Sequence, residues 1–240
     1  MYFEKENYYY IDESGHIGND SKLFIHGCIK TDSPEFITKA LEDIKEELNN
    51  DYYFNKFMDK FHETGFHAVD NHFDIRTLLY RKLITLDWRA YFVIINKESE
   101  YYNELKSKPE HEIFKISLSK LLFNRLRNEA SNKNILKFET IELTGKSLSI
   151  LLDELCEPWS EKYNCEYSIL QKEDDVNLGV IDYLNYVLYR ILTTNDGDET
   201  MRRNFNNLSP KIALIHIQNT NTYLSRYKNE ITIENLLKSW

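Results

Sequence analysis

The sequence has little of what breaks or staples a chain: among 240 residues there are 7 glycines, 4 prolines and 3 cysteines. So little glycine and proline excludes a disordered or loop-dominated protein, and order is expected nearly throughout. Cys28, Cys156 and Cys165 are odd in number and form no Cys-x-x-Cys spacing. That excludes a disulfide framework, indicates no zinc site, and suits buried thiols in a reducing cytosol. No apolar run approaches bilayer length and no early apolar segment follows positive charge. Neither a membrane span nor an export signal is expected, and the protein is expected to be cytoplasmic.

Positive charge is also in deficit, with Lys+Arg 30 against Asp+Glu 39 and a net charge of -9. This argues against a protein that coats nucleic acid non-specifically, because such binding is driven by phosphate neutralisation. An enzyme that holds a polyanion through metal ions and one local basic surface remains compatible with it. The glycine-rich phosphate cradles Gly-x-x-x-x-Gly-Lys-Ser/Thr and Gly-x-Gly-x-x-Gly are missing, which counts against phosphoryl or nucleotidyl transfer on a small nucleotide. Nothing singles out a His and Asp pair to activate Ser14 as a nucleophile.

What is present is a regular alternation of strands and helices. A hydrophobic fraction of 42% and an aromatic fraction of 14% supply the core of one substantial domain. The chain is organised around Tyr8 to Gly15, where Tyr8, Tyr9, Tyr10 and Ile11 run into Asp12, Glu13, Ser14 and Gly15. Strand-favouring residues ending in adjacent acids are how a sheet presents carboxylates to a metal. Alternation places Asp12 and Ser14 on one face and Glu13 on the other. A plain strand ending in a polar turn has the same appearance.

Lys22 to Lys30 reads as a second strand, joined to the first through the turn-rich segment Gly15 to Ser21, so the sheet opens with a hairpin. Ser33 and Pro34 start a helix running to the Asn49-Asn50 break. Gly65 to Val69 suggests a brief strand, His72 to Leu86 a helix, and Arg89 to Asn96 a buried strand. A helix follows from Pro109 to Glu129, then a strand from Ile135 to Leu143 carrying Glu139 and Glu142, a helix from Ser147 to Glu161 and a strand from Cys165 to Gln171. Asn177 opens a strongly apolar helix that ends at the Thr193–Gly197 break. In it, Asp182 reads either as a buried carboxylate needing a partner or cation, or as a solvated residue sharing the outer stripe with Asn185. An apolar run at Lys211 to Gln218 and a helix from Thr232 to Trp240 close the chain. The expected fold class is α/β layered, with residues 1–198 as the main domain and 199–240 as an extension packing on it.

One basic run stands out: Lys115, Lys120, Arg125, Arg127, Lys133 and Lys137 against the single acid Glu129. It reads equally as a solvated helix face or as a backbone-binding surface. Asp12, Glu139 and Asp182 are the acids that stand out by position. A phosphodiester-cutting enzyme needs such a set to hold two cations about 3.5 to 4 Å apart. Magnesium is the natural choice, being hard and oxygen-loving.

These pieces resemble the bacterial domain-of-unknown-function family numbered 3800, grouped with RNase H-like proteins. The resemblance rests on Tyr-Ile-Asp-Glu-Ser-Gly at 10–15, Gly-Phe-His-Ala at 65–68, Phe-Glu-Thr at 138–140, and Lys172 followed by Asn177-Leu-Gly-Val-Ile-Asp-Tyr ending at 183. The motifs occur in family order over roughly the first four fifths of the chain. The chain departs from the pattern at Ile181, where a small residue is expected, and offers Glu142 as a competitor for Glu139. The resemblance implies an RNase H-like mixed sheet flanked by helices on both faces, with Asp12, Glu139 and Asp182 as acidic site residues binding Mg²⁺ or Mn²⁺. Glu13, Ser14, His67 and Lys172 match further motif positions: Lys172 would neutralise a scissile phosphate and His67 assist proton transfer. As plain structure, His67 would tie a loop to the sheet and Lys172 would be a solvated lysine. The implied activity is a nuclease on RNA or DNA, in bacterial defence or mobile-element systems. The competing function is a non-catalytic module recruiting a protein partner or a second copy, which the 17 tyrosines also suit.

Overall fold

The computed structural model describes residues 5–18, 21–194 and 198–240. Among these residues seven strands form one mixed sheet: β1 (Glu6–Ser14), β2 (Leu23–Thr31), β3 (Arg89–Asn96), β4 (Lys133–Glu139), β5 (Cys165–Leu170), β6 (Ile212–Ile217) and β7 (Thr222–Ser225), in the order β5-β4-β1-β2-β3-β6-β7. The hairpin expected at the start is present, with Asp12 opposite Gly27 and Ile11 opposite Cys28. β2 continues antiparallel into β3, while β4 lies parallel to β1, β5 to β4 and β6 to β3. The parallel strands therefore end on one edge of the sheet. Residues 212–217 and 222–225 extend this same sheet.

Helices cover both faces, as expected of an α/β layered chain. On one side lie α1 (Pro34–Asn50), α2 (Asn55–Thr64), α3 (Phe73–Leu83), α7 (Leu178–Thr193), α8 (Glu199–Leu208) and α9 (Ile233–Ser239); on the other, α4 (Glu100–Leu105), α5 (Glu110–Asn128) and α6 (Leu148–Tyr163). β2 is buried along almost its whole length because it is central and sandwiched. α7 is buried nearly all round, since it lies between the sheet and the outer helices α3 and α8. Each Leu, Ile or Val it removes from water contributes about 1.5–3 kcal/mol. All three cysteines are free and buried. No helix among the described residues is long and apolar enough to cross a membrane.

Three expectations are corrected. Gly65 to Val69 is a turn, because Gly65 ends α2 at φ 61° and the Ala68 N–H goes to a side chain instead of a neighbouring strand. The strand expected through Leu143 ends at Glu139. Asn185 is not on an outer stripe but 1% exposed against the sheet. Four of the six basic residues meet acceptors of the protein itself: Lys115 meets Glu154, Lys120 meets Gln218, Lys133 meets Glu6 and Glu166, and Lys137 meets Asp175. Of the expected breaks, Asn19 and Asp20 in the first turn and Asn195, Asp196 and Gly197 after α7 lie outside the described residues.

Candidate active site

The site forms where β1 and β4 end side by side. Ile11 pairs with Phe138 in the parallel ladder, so the next residue on each strand, Asp12 and Glu139, stands at the carboxyl edge, where open α/β sheets place their ligand crevices. Tyr10 belongs to the core on the α7 side, and by alternation Asp12 faces the same way. There it meets α7, whose second turn carries Asp182. The loop after β5 brings in Lys172.

Lys172 is the centre of the arrangement. Its Nζ lies 3.1 Å from Glu139 Oε1 and 3.1 Å from Asp182 Oδ1, with its side chain 12% exposed. Burial pulls the ammonium down, but the carboxylates of Asp182, Asp12 and Glu139 outweigh it and hold Lys172 above its usual pKa. One lysine serves several acids, and the acids show the imbalance. Asp12 is 5% exposed, and its carboxyl lies well above the usual range because of burial first, then the charges of Glu139 and Glu13. Glu13 is only half-buried as a residue, yet burial of its carboxyl and the nearby Glu139 push it up to about 8. Glu139 is also raised by burial, against the pull of Lys172. Asp12 Oδ2 and Glu139 Oε2 are buried and meet no N–H or hydroxyl donor; the two carboxyls lie within hydrogen-bonding reach of each other. The other Asp12 oxygen accepts the Glu13 backbone N–H at 2.7 Å.

The Gly-Phe-His-Ala turn holds Asp182. The Ala68 N–H donates to Asp182 Oδ2 at 2.6 Å. His67 Nε2 lies 3.9 Å from Asp182 Oδ1, while its Nδ1 lies 2.8 Å from Asp70 Oδ2. Arg76 Nη1 donates to the carbonyls of Ala68 and Asn71 at 2.8 and 2.9 Å, and Asn71 Nδ2 to the carbonyl of Gly65 at 2.9 Å. Asn71 Oδ1 also accepts the Tyr183 hydroxyl. A cavity of about 230 Å³, lined among others by Lys45, His62, Gly65, Phe66, Lys172 and Gly179, opens beside this turn.

The structure thus brings together Asp12, Glu139, Asp182, Lys172 and His67; Glu13, expected on the other face, follows Asp12 opposite His26 and acts on the cluster through its charge. Ser14 ends β1 opposite Ile25, next to the cluster in sequence. Glu142 lies past the strand end in an exposed loop, in a groove with Leu143, Lys146 and Ile150, and is not among the acids acting on Lys172. Sequence reasoning missed Arg76 and Asn71, whose partners are backbone carbonyls and leave no pattern. It also missed Asn185, hidden by the apolar surroundings of α7. Among the described residues, no three His, Cys, Asp or Glu side chains are disposed to hold a metal ion as they stand. The Lys172 ammonium already lies between two of the acids.

No protein-family model and no curated protein sequence matches the chain. Among solved structures it is similar to the RNase HII of Archaeoglobus fulgidus in its complex with PCNA, at a TM-score of 0.45 and 14% identity, over 97% of this chain and 87% of that one. A likeness of that degree bears on neither the chemistry nor the partners of this chain. The mixed seven-stranded sheet with helices on both faces rests on the strand pairings themselves.

Proposed function

We propose that the chain is a metal-dependent nuclease of RNase H-like type, from the family its motifs resemble, with Asp12, Glu139 and Asp182 as ligands for Mg²⁺ or Mn²⁺. The observation that carries this reading is the meeting of those three acids, 127 and 43 positions apart in sequence, around one buried lysine. A mixed sheet opening with a hairpin is also what the resemblance implies.

The donor set fits a hard divalent cation: it is all oxygen, in surplus over positive charge, with Asp12 Oδ2 and Glu139 Oε2 unpaired. Carboxylates with elevated pKa values are those that gain most from a nearby cation. Bound metal would supply Lewis-acid polarisation of a phosphoryl oxygen and a low-pKa water. The chain's own residues do the rest. Asp12 is fixed by the strand end and the Glu13 N–H, and Asp182 by the Ala68 N–H. Lys172 fills the space between Glu139 and Asp182 in the free protein and, moved aside, carries its charge to a substrate phosphate. His67, oriented by Asp70 and about one third exposed, stands where a proton can pass to solvent. Lys45 along the adjoining cavity offers a charge to a nucleic-acid backbone, beside Glu63 and Glu173 on the same lining.

A second reading is favoured by one observation, the position of Lys172. If the lysine stays between Glu139 and Asp182, the cluster is a permanently neutralised structural core and the protein a non-catalytic module that binds a partner. Cleavage of labelled single-stranded RNA, single-stranded DNA, duplex DNA and hybrid, with Mg²⁺ or Mn²⁺ and then EDTA, separates the two. Metal-dependent cutting that is lost in Asp12→Asn supports the nuclease. No cutting of any substrate, with no metal-induced change in Tm, supports the module.

A further inference from the structure

Directly opposite Asp12 across the opening hairpin stands Gly27. Glycine in the middle of a central strand weakens it, so its presence calls for a close approach from another element. Here the element is α7: a Cβ added at position 27 would lie 2.3 Å from Asn185 Oδ1 and 2.7 Å from Ile181 Cδ1. What the glycine admits is an unusual group. Asn185 is 1% exposed, and neither its Nδ2 nor its Oδ1 has a hydrogen-bond partner. A buried primary amide left unpaired is destabilising on its own, and leucine would fill the same space without that penalty.

The unpaired amide has an unpaired neighbour. Asp12 Oδ2 is buried without a donor, and residues facing each other in an antiparallel pair project to the same side of the sheet. Asn185 also lies three residues after Asp182, on the same face of α7. One rung of the hairpin and one turn of the helix thus combine a donor without an acceptor, an acceptor without a donor, and the glycine that lets them approach.

We propose that Asn185 is a positioning residue of the acidic site: its amide donates to Asp12 when Asp12 binds a divalent cation, and Gly27 is there to admit it. The inference rests on the metal reading above. A carboxylate that ligates a metal needs a second hydrogen bond to fix its orientation, and losing such a partner typically lowers metal affinity about 10–100-fold. Asparagine supplies the donor without adding a further negative charge to a cluster already in surplus.

The test is a Mn²⁺ titration of the purified full chain, with free Mn²⁺ followed by electron paramagnetic resonance, on wild type, Asn185→Leu, Asn185→Ala and Gly27→Ala. Wild type binds, and each variant that folds has its Mn²⁺ midpoint raised about 10–100-fold. Gly27→Ala in the Asn185→Ala background, where the amide is gone and only the movable end of Ile181 at 2.7 Å and the Phe92 ring at 3.0 Å have to give, adds little further loss of Mn²⁺ affinity, which makes the cycle non-additive. Midpoints equal to wild type in the Asn185 variants overturn this inference and leave the metal reading standing. A wild type that binds no Mn²⁺ overturns both.

Discussion

The two ends of β1 carry polar clusters of opposite character. At its start, Asn7 donates to Asn134 Oδ1 at 3.2 Å, and Asn134 Nδ2 donates to the carbonyls of Glu129, Asn132 and Tyr163 at 3.1, 3.1 and 2.9 Å. Lys30 and Glu129 pair one to one above them, and of the two asparagine side chains only Asn7 Oδ1 lacks a partner. At its other end, the carboxylates of Asp12, Glu13, Glu139 and Asp182 share Lys172, with Asp12 Oδ2, Glu139 Oε2 and both amide atoms of Asn185 unpaired. Matched charges and satisfied amides tie a fold together. Surplus charge of one sign with unpaired oxygens is the condition of a site that awaits a ligand. The contrast lies within one strand: a polar cluster matched in charge at its start and one in acid surplus at its end.

The comparison breaks first at Asp12. Asp12→Asn removes a ligand and should lower metal-dependent cleavage on the order of 10²-fold or more. It should also raise the Tm of the metal-free protein at neutral and higher pH, since asparagine cannot ionise where burial and neighbouring acids disfavour the charged form of Asp12. A fall in metal-free Tm would put Asp12 with the structural cluster instead. Next is Lys172→Met, which leaves the acids without their ammonium and should cost about 3 kcal/mol in the absence of metal. Mn²⁺ should restore much of that loss, and a Tm deficit indifferent to Mn²⁺ would make Lys172 purely structural. At the other end, Glu129→Gln should cost roughly 2 kcal/mol, with no dependence on Mn²⁺.

The smallest effect is on pH. Glu13, at about 8, and the raised Asp12 and Glu139 bind more protons folded than unfolded. Their contribution to stability is full below the ordinary carboxylate range and falls as pH rises above it, that of Glu13 being lost as pH passes through about 8. The metal-free protein should therefore lose Tm between those limits, and Glu13→Gln should flatten part of the slope. A Tm that climbs over the same interval would show that the acids are ionised and held by favourable partners in the folded protein.

The frame of the fold and the acids on strands were legible in the sequence. Tyr8 to Ile11 are strand-favouring residues that run straight into Asp12 and Glu13; Arg89 to Asn96 is apolar enough to be placed as a buried strand. Asp182 could not be assigned a face, because α7 is apolar nearly all round and leaves no polar stripe to define one. Asn185 was misplaced for the same reason. Gly65 to Val69 looked extended, and only a contact with Asp182, 114 residues from Ala68, makes it a turn. β7, four residues at the sheet edge, is too short to leave a pattern. α8 did leave one, with Met201, Phe205 and Leu208 at helical spacing behind the Asp198 cap, and it was readable.

Calorimetric titration of the metal-free chain with Mn²⁺, wild type beside Asp12→Asn, tests most directly whether these carboxylates form a cation site. Saturable binding by wild type that vanishes or weakens at least tenfold in the variant is the predicted result. Binding of equal strength by both proteins, or by neither, would contradict it.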